Sequence, residues 1–536
     1  MSRREARQDA LWLLALMLPL LAAGLARPLL PIDETRYAAV AWEMWQRGDW
    51  LLPVLNGEPY HHKPPLLFWL IHAGWALFGV QDWWLRLLPP LFGAGTLGLT
   101  VLLARELWPQ RPEVARIAPF VLLSSLLFGY FATALMFDML LAFFVALGLL
   151  GLVRAWRRGD VGGRPGGFLL LSLGLGGALF AKGPVGLLHL LPAALLAPLW
   201  MVEQRPPWRR WYAGVGAAVL GGAALILAWA IPAGFAGGET YRNAIFWGQT
   251  ANRMVESFAH RAPWWFYLVA LPWMLAPWLL WPRWWRGLRQ GTLGDSGLRL
   301  ALGSALFCLV FFSFVSGKRW QYLLPEFTLF ALVVARALAG RGDSTERPSG
   351  RWSLLLPGLT LIGVGAVVAV AAPRLAARLD LPESGLALMA GGALAAACGA
   401  ALLLRRPAAA LVDVRRVATA AVIAVAGLMV AVDVAMREPY DLAEVGGRLS
   451  QLEQAGAPLA ISDNYHGQWT LAGRLRRPLE ELPPAGVPAW LAARPEGRVV
   501  FVYRNAAELP AAARVEYSRR YRGGWVAILA SKDQAP

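Results

Sequence analysis

Seven basic clusters alternate with apolar stretches along this chain, and that alternation restricts it to a polytopic membrane protein. The apolar runs are close to the roughly 20 residues that cross about 30 Å of hydrocarbon. They predict about 13 membrane helices, near 11–29, 83–107, 115–131, 137–155, 166–181, 184–201, 211–233, 263–283, 298–317, 320–338, 353–373, 385–404 and 414–434. Arg105/Arg111/Arg116, Arg154/Arg157/Arg158/Arg164, Arg205/Arg209/Arg210, Arg283/Arg286/Arg289/Arg299, Arg336/Arg341/Arg347/Arg351 and Arg405/Arg406/Arg415/Arg416 fall in every second connection. The cluster Arg3, Arg4 and Arg7 shares their side. By the positive-inside rule that side is the cytoplasm. An odd number of spans then puts the C-terminal end outside.

Composition agrees. The chain is 57% apolar and only 16% charged, against roughly 45–50% and about 25% in soluble domains. Its 27 Trp suit a protein whose indole rings anchor at the headgroup level. The net charge of +17 would suggest nucleic acid in a soluble protein. In a membrane protein it reads as positive-inside bias and attraction to anionic lipid headgroups, so no nucleic-acid partner is expected. The two cysteines, Cys308 and Cys398, lie in apolar stretches and make no disulfide framework or metal-binding spacing. The first apolar run reads as an uncleaved helix.

The outer connections differ in kind. Residues 30–82 form a long loop whose stretches 36–47 and 66–79 read as amphipathic helices in the interface. Residues 234–262 form a second long loop, ending near His260. From about 437 the chain turns soluble in character, with a helix at 441–455 and strands at 457–462, 498–504, 514–519 and 524–529. The expected organisation is a transmembrane domain over 1–436 and a small α/β domain over 437–536.

The costly residues gather at the outer ends. Asp33 and Glu34 open the first loop, either as solvated carboxylates or an N-cap, or as chemistry. Arg36 and Tyr37 follow them. Tyr60-His61-His62-Lys63-Pro64-Pro65 is a second polar cluster: Lys63 suits a phosphate, and His62 suits a hydrogen bond or a divalent metal. Asp138 begins a helix at the same face, and Lys182 sits in Ala181-Lys182-Gly183-Pro184. Lys318, Arg319 and Tyr322 lie at another outer end and suit an anionic headgroup. His260 alone reads first as structural, with ligation as the rival.

Taken together, Asp33-Glu34-Thr35-Arg36-Tyr37, Gly48-Asp49-Trp50, Leu55-Asn56-Gly57, Lys63-Pro64-Pro65-Leu66, Ala181-Lys182-Gly183-Pro184 and Lys318-Arg319-x-x-Tyr322-x-Leu324-Pro325 resemble the bacterial lipid A aminoarabinose transferases. These belong to the protein O-mannosyltransferase superfamily of GT-C glycosyltransferases. The resemblance is strong from residue 30 to about 330; beyond 340 only the architecture is similar. It implies an integral inner-membrane enzyme that moves a sugar from a polyprenyl phosphate to an acceptor on the periplasmic side. The members closest in motif use undecaprenyl-phosphate 4-amino-4-deoxy-L-arabinose and modify lipid A phosphates, giving polymyxin resistance.

Carried over by motif, Asp33 is the catalytic carboxylate, with Glu34 beside it, and Asp138 matches a second acidic position. Arg36, Tyr37 and Lys63 match donor- or phosphate-contacting positions. Lys182, Lys318, Arg319 and Tyr322 match groups lining the carrier-phosphate pocket. The family usually has Glu where this chain has His62, and that Glu with a His at the position of His260 can hold a metal. A His62/His260 pair here would favour Zn over Mg, since imidazole is softer than carboxylate. No Walker or Rossmann glycine motif offers a nucleotide site. The expected partners are the carrier-linked donor, lipid A or a similar acceptor and membrane lipid, with the chain working as a monomer. A mannosyl or other hexosyl transfer to protein or glycan is the rival within the superfamily. A lipid transporter or flippase is the rival outside it, but that class places ionisable groups at the bilayer midplane in repeated halves.

Overall fold

The computed structural model describes residues 3–158, 166–248, 261–289, 294–339, 353–378, 384–462 and 464–532. Among them, nine helices are long and apolar enough to cross a membrane. They include α1 (Arg3–Ala26), which leads into the outer loop carrying α2 (Asp33–Arg47), a two-stranded ribbon β1 (Val54–Leu55) and β2 (Glu58–Pro59), and α3 (Leu66–Phe78). The chain re-enters the bundle through α4 (Asp82–Leu107), α5 (Pro112–Leu123), α6 (Leu126–Phe131), α7 (Phe137–Arg157) and α8 (Gly166–Lys182). This is a multi-pass membrane protein.

Four of the predicted spans are built from shorter pieces. Prolines interrupt three of them, by removing a backbone donor and clashing with the preceding turn. Residues 115–131 break at Ser124 and Ser125 into α5 and α6. Residues 184–201 hold Pro184, Pro192 and Pro198 and become a 3-10 segment (Gly183–His189), α9 (Leu191–Leu195) and α10 (Ala197–Trp200). The long α11 (Trp208–Ala236) and short α12 (Gly238–Asn243) follow. Residues 263–283 are broken around Pro272 and Pro277 into α13 (Phe266–Met274) and the start of α14 (Pro282–Arg289). After α15 (Ser296–Phe314), a 3-10 turn (Trp320–Leu323) and Pro325 delay the next helix, α16 (Glu326–Ala339). Three more long helices, α17 (Leu355–Arg378), α18 (Ser384–Leu403) and α19 (Ala410–Tyr440), complete the bundle.

Helices α7 and α8 pack backbone against backbone. A Cβ on Gly174 would lie 2.4 Å from the Gly148 Cα. Small residues allow that approach where lipid offers no hydrophobic drive between helices. The contact fixes the start of α7 beside the end of α8, which is where Asp138 and Lys182 stand.

Beyond α19, α20 (Ala443–Gln454) and α21 (Val487–Ala493) flank a five-stranded sheet of order β4-β3-β5-β7-β6. Its strands are β3 (Leu459–Ile461), β4 (Glu480–Glu481), β5 (Arg498–Tyr503), β6 (Ala513–Tyr521) and β7 (Gly524–Ser531). Strand β3 runs parallel to β4 and β5, while β7 is antiparallel to β5 and β6. Alternate residues of β5 serve two cores: Val500 packs with Leu449 and Trp469, and Val499 and Phe501 with Trp490 and Leu491.

This domain sits on the first outer loop. Trp42 and Gln46 of α2 donate to the Leu475 carbonyl at 2.8 and 2.7 Å. Asn56 exchanges hydrogen bonds with Leu479, donating at 2.9 Å and accepting at 2.8 Å. Gly467, at φ +75°, lets the backbone approach so closely that a Cβ there would meet the Ala39 Cβ at 2.4 Å. Helix α2 is therefore covered by protein on almost every side, with Ala38 to Ala41 fully buried. That explains its run of small and apolar residues.

Candidate active site at converging helix ends

Asp33 is the first residue of α2, where a carboxylate suits the exposed N–H groups of the opening turn. Its carboxylate accepts from Arg319 at 3.1 Å, and the Arg36 guanidinium lies 3.8 Å away. The carboxylate keeps about 30% of its side chain exposed. It is thus oriented and reachable.

Asp138, in the first turn of α7, is buried and paired with the Lys182 ammonium at the end of α8. The same ammonium lies 4.8 Å from the centre of the Tyr322 ring, a cation–π contact. Tyr322 follows Arg319 in one 3-10 turn. The two acidic residues are therefore linked through Lys182, Tyr322 and Arg319, although they come from different parts of the chain.

Tyr37 joins them from inside. Its ring packs edge-on against Phe137 at 4.9 Å. Burial raises its hydroxyl well above the ordinary value, and the negative charges of Asp33 and Asp138 add to this. The His62–Lys63 loop borders the same cluster. Tyr60 packs on His62 at 5.2 Å and on Phe68 at 6.4 Å, and Phe68 lies 5.6 Å from Phe137. Lys63 is half-buried just before α3.

Two other candidates have different surroundings. Glu34 is buried and fully engaged: Arg27 at 2.6 Å, Arg86 at 3.2 Å, and the backbone N–H groups of Leu30 at 2.8 Å and Leu135 at 2.9 Å all donate to it. Burial favours the neutral acid, but Arg86, Arg27 and the two N–H groups outweigh it and hold the carboxyl below the usual range. Its geometry is that of a staple holding the loop, from which Asp33 projects. Arg27 and Arg86 were not singled out in the sequence; their signal is an arginine at, or inside, the outer end of an apolar run. Lys318 is also buried, and its ammonium donates to the carbonyls of Ala262 at 2.8 Å and Val315 at 2.6 Å. It ties the turn that carries Arg319.

His260 lies outside the described residues, so a His62/His260 metal pair does as well. Among the described residues, the side chains with three ligating atoms together are His189, Cys308 and Glu326. A cleft of about 750 Å³ runs between α9, α10 and α15, lined by Leu196, Leu199, Leu306, Phe307, Val310 and Phe314. At its outer end is Val315, whose carbonyl Lys318 holds.

The arrangement offers one oriented carboxylate, Asp33, beside the Arg319 and Arg36 guanidiniums. That suits displacement at a carbon bearing a phosphate leaving group.

Comparison with known proteins points the same way. Residues 62–234 match the dolichyl-phosphate-mannose-protein mannosyltransferase family model. An undecaprenyl phosphate-α-4-amino-4-deoxy-L-arabinose arabinosyl transferase of Pseudomonas fluorescens is 31% identical over 66% of this chain and 64% of its own length. One from Pseudomonas aeruginosa is 34% identical over 66% of this chain and 62% of its own. The matched part thus spans a little under two thirds of these curated relatives. The crystal structure of ArnT from Cupriavidus metallidurans bound to undecaprenyl phosphate superimposes with a TM-score of 0.78, at 20% identity, over 98% of this chain and 99% of that one. The GT-C fold and the resemblance read from the motifs are both borne out.

Proposed function

We propose that this chain, similar in sequence to the aminoarabinose transferases and sharing the fold of one throughout, is an inverting glycosyltransferase of the bacterial inner membrane. Its donor is 4-amino-4-deoxy-L-arabinose on undecaprenyl phosphate, its acceptor a lipid A phosphate, and its site faces the periplasm. The observation that carries this reading is the meeting of Asp33, Arg319, Tyr322, Lys182 and Asp138 at outer helix ends.

The acceptor oxygen attacks the anomeric carbon as the bond to the carrier phosphate breaks. Negative charge grows on the departing phosphate, and Arg319, with Lys63 from the neighbouring loop, stabilises it. Arginine's planar fork suits a phosphate's two oxygens. Asp33 orients the acceptor and offsets positive charge on the sugar; with a hydroxyl acceptor it would instead take the proton, a role worth about 10²–10⁴-fold. Asp138 holds Lys182 in place against Tyr322. The isoprenoid tail lies in the apolar cleft along α15, whose outer end adjoins the Lys318 turn. Glu34, Arg27 and Arg86 fix the loop. No nucleotide takes part.

Mass spectrometry of lipid A from cells with and without the protein tests this. A pentosamine mass that disappears with the gene supports it. Unchanged lipid A, with a hexose lost from protein or glycan instead, transfers the reading to the mannosyl-type alternative.

A further inference from the structure

Behind Tyr322 and Phe312, three ionisable side chains from three predicted spans meet out of water. His189 ends the 3-10 segment after Lys182, Cys308 lies in α15, and Glu326 opens α16. Their relative exposures are 2%, 2% and 7%. The His189 Nδ1 lies 2.6 Å from the Glu326 Oε1 and 3.9 Å from the Cys308 Sγ. Ligating atoms of all three fall within 4.8 Å of one another.

We propose that His189, Cys308 and Glu326 form a zinc site that the sugar-transfer reading does not use. Nδ1 faces both the Cys308 thiol and the Glu326 carboxylate, so donor atoms of three side chains converge on one point. The second carboxylate oxygen of Glu326 is buried without a hydrogen-bond partner. A buried polar atom left this way is costly unless something binds it. A dication at the point where these atoms converge takes up that carboxylate oxygen.

Charge supports the same choice. Zinc with one thiolate, one carboxylate and a neutral imidazole sums to zero, which suits an apolar interior. The mixed sulfur, nitrogen and oxygen set favours zinc over magnesium. With Zn–S about 2.3 Å and Zn–N about 2.0 Å, tetrahedral ligation sets sulfur and nitrogen roughly 3.5 Å apart. The 3.9 Å sulfur–nitrogen separation closes by a few tenths, and the 2.6 Å nitrogen–oxygen contact opens by roughly 0.7 Å as the ion enters. Cys308 binds as thiolate and gives its proton to solvent. The Leu188 carbonyl, 3.6 Å from Sγ, is one candidate for the remaining position.

Such an ion would tie together the elements that hold the pocket. His189 stacks on Phe312 at 5.4 Å, and Phe312 packs on Tyr322 at 5.8 Å. The metal thus braces the floor under Tyr322 and Lys182, as a positioning element.

The test uses full-length protein purified in detergent without chelator. Metal content is measured after zinc incubation and desalting, and absorption after cobalt replacement. Near-stoichiometric zinc, and a thiolate-to-cobalt charge-transfer band in wild type and Cys398→Ser, support the site. Cys308→Ser should lose the band, and His189→Gln and Glu326→Gln should bind zinc more weakly than the ~10–100-fold loss typical of an outer partner. Absence of zinc from wild type, or a thiolate-to-cobalt band retained by Cys308→Ser, overturns it. If Cys308→Ser elutes as aggregate, wild type decides alone: cobalt bound without a thiolate band also overturns the site.

Discussion

The Arg319 guanidinium meets the Asp33 carboxylate at 3.1 Å, although 286 residues separate them in the chain. Both are about one-third exposed, so the pair contributes roughly 0–1 kcal/mol to stability. Its value is positional: it holds a cation and a carboxylate beside the turn that carries Tyr322. Arg319→Ala should therefore leave the melting temperature nearly unchanged while lowering transfer about 10²-fold or more. Arg319→Lys should recover part of the rate. Transfer kinetics with purified variants check this, alongside thermal unfolding.

Asp138 and Lys182 behave differently because they are buried. Removing one leaves the other charge without its partner, at a cost of about 3–5 kcal/mol. Asp138→Asn and Lys182→Met should each be destabilised and inactive. The double variant should regain much of the stability but none of the transfer. A double-mutant cycle on thermal stability and rate separates the two effects.

Glu34 predicts a pH effect. Its folded-state carboxyl titrates below the unfolded value of about 4.5. Its contribution is complete above that value and is lost as pH falls through the folded one. Thermal stability of wild type should fall steeply on acidification below about pH 4. Glu34→Gln should start lower by about 3–5 kcal/mol and show a shallower fall, because two buried arginines lose their counter-charge. Unfolding followed from pH 7 to pH 3 measures both.

Gly467→Val tests the contact between the C-terminal domain and α2. A side chain there strikes Ala39, and φ +75° disfavours a β-branched residue. The variant should expose α2 to limited proteolysis and reduce transfer, with the sheet itself still folded. Protease mapping of the 33–47 segment reads the outcome.

The site was legible in the sequence where charge is expensive. Asp33, Asp138, Lys182 and Arg319 stand at outer helix ends, and no apolar role accounts for them. What the sequence could not show is which of two neighbouring residues turns inward. Glu34 finds Arg27 and Arg86, and Lys318 finds two carbonyls, only once helices α1, α4 and α15 are packed. The apolar runs at 115–131, 184–201, 263–283 and 320–338 read as continuous spans because composition outweighed their prolines and serines. Four strands were read close to their observed places, but β4 is two glutamates and carries no β pattern of its own. His189, Cys308 and Glu326 were missed because each lay in a different expected span.

Transfer in proteoliposomes holding lipid A and undecaprenyl-phosphate 4-amino-4-deoxy-L-arabinose, compared between wild type and Asp33→Asn, puts the proposed chemistry to the question. Wild type should modify lipid A, and Asp33→Asn should be slower by about 10²–10⁴-fold while still binding the donor. A wild-type rate from Asp33→Asn would remove the carboxylate from the mechanism, and with it the role given to the pocket.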